Sequence, residues 1–376
     1  MNPRVIRVLG AAVAFLVVTA IGIVLAGGIQ QTGEQDPVTF AYHEVADVLA
    51  LILAVSMLVA IATYLAIEWS QTRQLASLSG QFTTRTFVLI PIAIALNIIL
   101  GQTVVAAIKL PIYLDSIGTI LVGVLAGPLA GAVTGLLANL LWAYVIPPPF
   151  QYPPAAAFAV VAAIIGLLAG GFARAGFLRP RPNQPMNRLV IAGVATAALI
   201  AGLAYLASLG YTTVLGGSPT VTPGPNNPVF DSTLFIVLGW LAVVLVAGTV
   251  VGLFVLLFVR RDLSAAYVVA CGAATGIVAA LVSAPIAAGV FGGVTGSGTD
   301  FLVAAFRQAG LDVGAATLGQ GLISDPIDKI TTFFVVYLIV SSMARRMKAR
   351  FPQGERLVER DVDTAADDAG WRGAAA

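Results

Sequence analysis

The amino-acid sequence predicts an all-α polytopic membrane protein of about ten transmembrane helices, with both termini inside. Three observations carry this expectation. Of 376 residues, 59% are hydrophobic and 10% charged, and the mean hydropathy is +0.95. A soluble domain carries about 25% charged residues, and a chain this apolar has too little polar surface to cover itself in water. Apolar runs of about 20 residues, the length that crosses a bilayer, recur along the chain. Basic residues fall in alternate connecting segments, as the positive-inside rule requires.

The spans follow in order. Arg4 and Arg7 precede an apolar run to about Ala26. A cleaved signal peptide has the same pattern, but the run is long for one. A polar loop with Glu34 and Asp36 leads to a second span over Glu44–Trp69. After the polar stretch Ser70–Arg85 come spans over Thr86–Ala107, Ile112–Ala126, Leu129–Val145 and Ala155–Ala173. The link Pro147–Pro154 reads as non-helical, because proline lacks the amide donor and clashes with the preceding turn. A basic, proline-rich loop follows, with Arg174, Arg179, Arg181 and Arg188. Leu189–Leu209 and Leu234–Val259 flank Gly210–Thr233, a Gly, Pro, Asn and Thr-rich external loop. Ala265–Val290 spans again. Phe291–Asp325 is glycine-rich and polar, with an amphipathic piece at Asp300–Ala309, and Pro326–Ala344 is the last span. The tail to Ala376 mixes acids and bases and reads as flexible.

With the N-terminus inside, the short cytoplasmic segments hold 14 of the 20 basic residues, and the external loops hold only Lys109 and Arg307. A miscount by one span would scramble this alternation, so the bias supports the count as well as the orientation.

Several functions are excluded or unsupported. No GxxxxGK precedes a Ser or Thr, so no P-loop is present. The one histidine, His43, sits at the outer end of the second span and makes neither a metal site nor a Ser/His/acid set. The one cysteine, Cys271, rules out a multi-cysteine metal site. No basic, aromatic-interleaved surface suggests nucleic acid. No catalytic residue, metal or cofactor is expected.

Charges in lipid cost about 2.5–3.5 kcal/mol each at mid-helix and usually mark pockets or pathways. Here they gather at outer ends: Lys109 and Asp115, Asp300 and Arg307, then Asp325, Asp328 and Lys329. Asp325-Pro326 reads as an N-cap followed by proline at the first helical position. Asp328 then falls in the first turn, where the dipole favours an acid. Lys329 in that turn calls for a nearby carboxylate, from a substrate or from Asp115 or Asp300. Asn139 lies two turns before the outer end of its span, and its amide needs either a helix–helix bond or a ligand. Trp142 shares its face; Trp142 and Tyr144 also fit an interfacial aromatic belt. Ala93, Asn97 and Gly101 recur every fourth residue and form a close-approach face, either for packing within the chain or for a partner.

Three segments carry a family resemblance. LPIYLDSIGTILVGVLAGPLAGAVTGLLANL resembles the first loop and the second and third helices of S components of energy-coupling factor (ECF) transporters. FGGVTGSGTD (Phe291–Asp300) and SDPIDKITTFF (Ser324–Phe334) resemble the fifth loop and sixth helix of the same family. The match covers about 170 residues. The resemblance implies a six-helix core that binds a vitamin or other micronutrient on the outer face. It implies partners too: a transmembrane coupling subunit and two cytoplasmic ATPase subunits, in the cell membrane. The family's pocket positions fall here on Tyr113 and Asp115, on Thr295, Ser297, Thr299 and Asp300, and on Asp325, Asp328 and Lys329. With Asn139 and Trp142 these form the expected substrate site. The family's coupling face falls on Ala93, Asn97 and Gly101, where Asn97 departs from the alanine pattern.

The implied organisation is two extra helices and a linker over 1–85, core helices one to four over 86–175, and a two-helix insertion over 176–263. Core helices five and six cover 264–345, and a cytoplasmic tail covers 346–376. Two alternatives share these features. One is a membrane receptor or sensor with an S-component-like binding domain, although the tail holds no signalling domain. The other is a stand-alone secondary transporter, which normally places ionisable residues near mid-membrane, where this reading puts none.

Overall fold

The computed structural model describes residues 3–28, 43–107, 112–148, 150–214 and 233–359. Every regular element among them is helical. In order they are α1 (Pro3–Leu25), α2 (His43–Thr72), the single turn α3 (Ala76–Ser79), α4 (Thr84–Ala107), α5 (Ile117–Ala126), α6 (Pro128–Tyr144) and α7 (Ala159–Arg174). Then come α8 (Met186–Val214), α9 (Thr233–Phe254, continued by a π turn at Val255–Val259), α10 (Ser264–Phe291), α11 (Asp300–Gln308), α12 (Val313–Ser342) and α13 (Arg345–Lys348). Lys109, Glu34, Asp36, the side chain of His43, most of the 210–233 loop and the tail beyond 359 lie outside the described residues.

Five of these helices hold stretches long and apolar enough to cross a membrane: Val5–Leu25, Val48–Thr72, Thr84–Gln102, Met186–Leu209 and Ser264–Phe291. Four shorter apolar helices accompany them: Ile117–Ala126, Pro128–Tyr144, Ala159–Arg174 and Val244–Val259. Large apolar side chains such as Val8, Leu16, Leu51, Phe87, Ile92, Ile191 and Val251 are exposed. Apolar side chains facing outward on long helices suit a hydrocarbon surround, and the chain is a helical membrane protein.

The interior is held by close backbone approach. A methyl group on Gly276 would strike the Pro326 backbone, and one on Gly272 the Ile330 backbone, so α10 and α12 lie against each other with no side chain between them. Gly131 and Gly166 play the same part between α6 and α7. Without a hydrophobic drive between helices in lipid, such small-residue contacts supply the dispersion energy of association. At the α5–α6 corner, Gly127 has φ of 131°, which an L side chain rarely adopts. Pro128 then opens α6 with its φ already helical. Gln81, from the polar stretch before α4, caps α6 by accepting the Leu129 N–H at 2.8 Å.

Four expectations need correction. The last helix does not begin at Pro326. It runs from Val313, and its N-cap is Asp312, whose carboxylate accepts the Ala315 N–H at 2.8 Å. Pro326 stands inside the helix, where it removes one intrahelical bond, a loss that packing against neighbouring helices makes tolerable. Asp325 is therefore no N-cap, Asp328 no first-turn acid, and Lys329 no first-turn base. All three sit in the middle of a 30-residue helix. The second correction concerns Ala93, Asn97 and Gly101. This face is buried within the chain: Asn97 donates to Thr119 Oγ1 at 2.8 Å and accepts the Gly118 N–H at 2.7 Å. Gly118 abuts the Ala93 carbonyl, and Gly101 packs on Trp142. The face is consumed by α5 and α6 and offers no surface to a partner.

Third, the proline-rich link contains a 3-10 turn at Pro153–Ala156, with proline in its first positions, where no donor is lost. Fourth, the start of the tail is docked. The Gln353 N–H donates to the Leu125 carbonyl at 3.0 Å, and its side-chain amide to the Gly123 carbonyl at 2.8 Å. The Leu125 carbonyl lies in the last turn of α5, where carbonyls lack an intrahelical donor; the Gly123 carbonyl also takes the Gly127 N–H at 3.0 Å, and Leu357 is buried in the same cluster as Leu125.

Candidate ligand-binding site

A cavity of about 100 Å³ lies between the segment 113–116 and helices α4, α6, α7, α10 and α12. Its polar wall is built in three parts. The first is the loop before α5. Leu114 there takes φ of 55°, in the left-handed region, which turns the backbone so that successive amides point the same way. The Tyr113 and Leu114 N–H groups both donate to Asp328 Oδ1, at 2.9 and 2.8 Å. Lys329 Nζ donates to the Ser116 hydroxyl at 2.8 Å, pairs with the other Asp328 oxygen, and lies 3.7 Å from Asp115. The loop is thus clamped to α12 by an adjacent acid–base pair. Asp328 is 0% exposed and Lys329 3%. A buried pair of this kind holds only when its remaining donors and acceptors are met, and here they are.

The second part is the segment 293–300. The Asp300 carboxylate accepts the Thr295 and Gly296 N–H groups and the Thr295 and Ser297 hydroxyls, so the turn closes on its own acid. Burial pushes the Asp300 carboxyl up to about 6, and those hydrogen bonds pull against the rise. Two tyrosines tie this turn to the rest. The Tyr113 hydroxyl lies 3.0 Å from Thr299 Oγ1 and accepts from Gln320 Nε2 at 2.9 Å. The Tyr152 hydroxyl donates to the Thr295 carbonyl at 2.8 Å. Burial pushes both phenols up, so both remain protonated donors.

The third part is the aromatic side. Trp142 donates its indole N–H to Gln102 Oε1 and to the Phe150 carbonyl, both at 3.1 Å. Its ring centroid lies 5.1 Å from that of Tyr152. Asn139, one turn earlier and 5% exposed, lines the cavity with no hydrogen-bond partner among the described residues.

Of the eleven residues expected from sequence, nine line this one cavity: Tyr113, Asp115, Asn139, Trp142, Thr295, Ser297, Asp300, Asp325 and Lys329. Thr299 and Asp328 stand behind them, bonded to Tyr113 and to the loop amides. Lys329 pairs with its neighbour Asp328 and approaches Asp115, one of the two acids expected for it; no ion pair joins it to Asp300. Sequence reasoning missed Ser116, Tyr152, Phe158, Ser283 and Gln320. Gln320 was findable. With α12 begun at Asp312, Gln320, Ser324 and Asp328 fall four residues apart on one face. Among the described residues no cluster of His, Cys, Asp and Glu could hold a metal ion. The arrangement can bind a small polar molecule with an aromatic or apolar portion; it presents no nucleophile paired with a base. Neither a protein-family model, nor a curated protein, nor a solved structure matches the chain.

Proposed function

We propose that the chain is the substrate-binding membrane subunit of an ECF-type importer, taking up a vitamin or similar micronutrient in the cavity. One observation carries this: a partly enclosed, partly aromatic cavity near the ends of several helices, into which buried polar groups from three separate segments converge. Such a pocket is the ordinary form of a small-molecule site. The reading includes the ten-span topology, with the cavity toward the outside and the Gly127-Pro128 corner toward the cytoplasm. ATP would be hydrolysed by partner subunits. The buried Ala93–Asn97–Gly101 face counts against docking through that surface, so coupling would use another.

A stand-alone secondary transporter is the second reading, favoured by one observation. Asp325, Asp328 and Lys329 lie in the middle of α12, where ionisable groups mark coupling pathways. Two measurements separate them. Mass spectrometry of compounds released from gently purified protein identifies a ligand. Uptake of that ligand in cells with and without the coupling subunit and ATPases then decides. Uptake that needs those subunits supports the importer reading; uptake unaffected by their loss overturns it.

A further inference from the structure

We infer that the cavity selects a small organic cation: a protonated amine or amidine carried on a flat or short apolar body. The inference rests on the ligand-binding reading above and names the ligand's charge class. The argument is an inventory of charge. Among the described residues Lys329 is the one cationic side chain lining the cavity, and it is already answered by Asp328, with Asp115 at 3.7 Å and the Ser116 hydroxyl as a further acceptor. Asp328 is fully used by two amides and the ammonium. Asp300 is occupied by its own turn.

Asp325 remains. It is 6% exposed, it lines the cavity, and its one hydrogen bond is a long 3.5 Å contact from the Ser283 hydroxyl. Asp115 adds a second acid, its side chain 30% exposed. Lys329, one helical turn on, acts on Asp325 through its charge but donates no hydrogen bond to it, and a buried carboxylate so short of donors is costly unless a proton or a further cation meets it. A carboxylate ligand would find no free cation among the described residues and would face both acids. An ammonium or amidinium would instead give Asp325 the donors it lacks.

Asn139 is the independent second observation. Its amide is nine-tenths buried, faces the cavity and has no hydrogen-bond partner among the described residues, so the ligand carries a further hydrogen-bonding group toward α6. Trp142 and Tyr152, whose ring centroids lie 5.1 Å apart, form one aromatic wall for the flat portion, and a ring face beside a cation is itself attractive. The volume of about 100 Å³ is below that of a dry cavity of about 150 Å³ that takes benzene, so the ligand is no larger than one substituted ring, and a ring is seated only as the 293–300 turn gives way.

The test uses three probes of one size and different charge: benzamidine (cation), benzamide (neutral) and benzoate (anion). Each is titrated calorimetrically into the full chain in lipid nanodiscs at pH 7. Binding of benzamidine at least about ten-fold tighter than either isostere is expected. In Asp325→Asn, benzamidine should lose at least about ten-fold while benzamide changes little. If that variant does not fold, the wild-type series decides alone. Equal binding of the three, preference for benzoate, or a released native compound that is neutral or anionic at pH 7 overturns the cation inference and leaves the ligand-binding reading standing. A folded protein that releases no compound and binds none of the probes overturns both.

Discussion

Leu114 donates its backbone N–H to Asp328 Oδ1 at 2.8 Å, across 214 residues of chain. The bond fixes the loop before α5 on the middle of α12, and the same oxygen takes the Tyr113 amide. One carboxylate therefore orients a segment that supplies Tyr113, Asp115 and Ser116 to the cavity.

Asp328→Ala leaves Lys329 buried without its main counter-charge, and Lys329→Met leaves Asp328 likewise. Breaking one side of a buried pair costs about 3–5 kcal/mol. Each single variant should melt well below the parent in detergent. The double variant Asp328→Leu/Lys329→Met should lose less than the two singles summed, since no orphan charge remains. Strict additivity in that cycle would show that the pair is not coupled.

Leu114 pits strain against burial. A left-handed conformation costs a non-glycine residue about 1–2 kcal/mol, so Leu114→Gly relieves something of that order. The leucine side chain is 2% exposed, and deleting such a group costs about 2–5 kcal/mol. Burial wins, and Leu114→Gly should lower the melting temperature. A rise would mean that the backbone term dominates.

Gly276→Ala places a methyl group against the Pro326 backbone, which cannot swing away as a side-chain tip could. Overpacking of this kind costs about 1–3 kcal/mol. Gly171→Ala, on α7 with nothing within 4 Å of the added carbon, should be neutral or gain up to about 1 kcal/mol from helix propensity. Thermal melts of the two variants in one detergent make the comparison.

For Asp300 the pH dependence has a definite sign. Its carboxyl titrates near 6 in the fold, against 3.8 ordinarily. Between those values the folded chain holds a proton that the unfolded chain has released, so stability contributed by this group falls as pH rises from about 4 to about 6. Below 4 and above 6 its contribution is flat. The difference in melting temperature between parent and Asp300→Asn should therefore change only inside that window. A difference that is constant from pH 4 to 8 would contradict the shift.

Much of the helical content and most of the cavity were legible in the sequence, for different reasons. The apolar runs announce themselves by length, and the structure places a helix on each. Tyr113, Asp115 and Asp300 were visible because charged or phenolic groups are scarce in so apolar a chain. The start of α12 was misread because Asp325-Pro326 imitates a helix N-terminus more loudly than Asp312 does. Only packing of glycine-rich Val313–Ser324 on α10, with Gly321 against Ala280, makes those residues helical. Tyr152 was missed since the prolines around it argue for a passive link. The Ala93–Asn97–Gly101 face was read correctly as a close-approach surface, but sequence alone does not say whether the approaching helix belongs to the same chain.

The two rims of the cavity are fastened very unequally. At 113–116 the fastening is three hydrogen bonds to the Asp328–Lys329 pair of α12, with the Asp115–Lys329 ion pair at 3.7 Å beside them. At 293–300 the turn is bonded chiefly to itself, and it meets its neighbours through two tyrosine hydroxyls, at Thr299 and Thr295. Gly292, just before the segment, and Gly293 and Gly296 within it all take positive φ. A segment hung on glycines and latched by two phenols swings at far lower cost than one riveted by buried charge. If the cavity exchanges a ligand with solvent, as proposed, the doorway lies on the side of Tyr152 and Thr295, with the Asp328–Lys329 side as its fixed jamb.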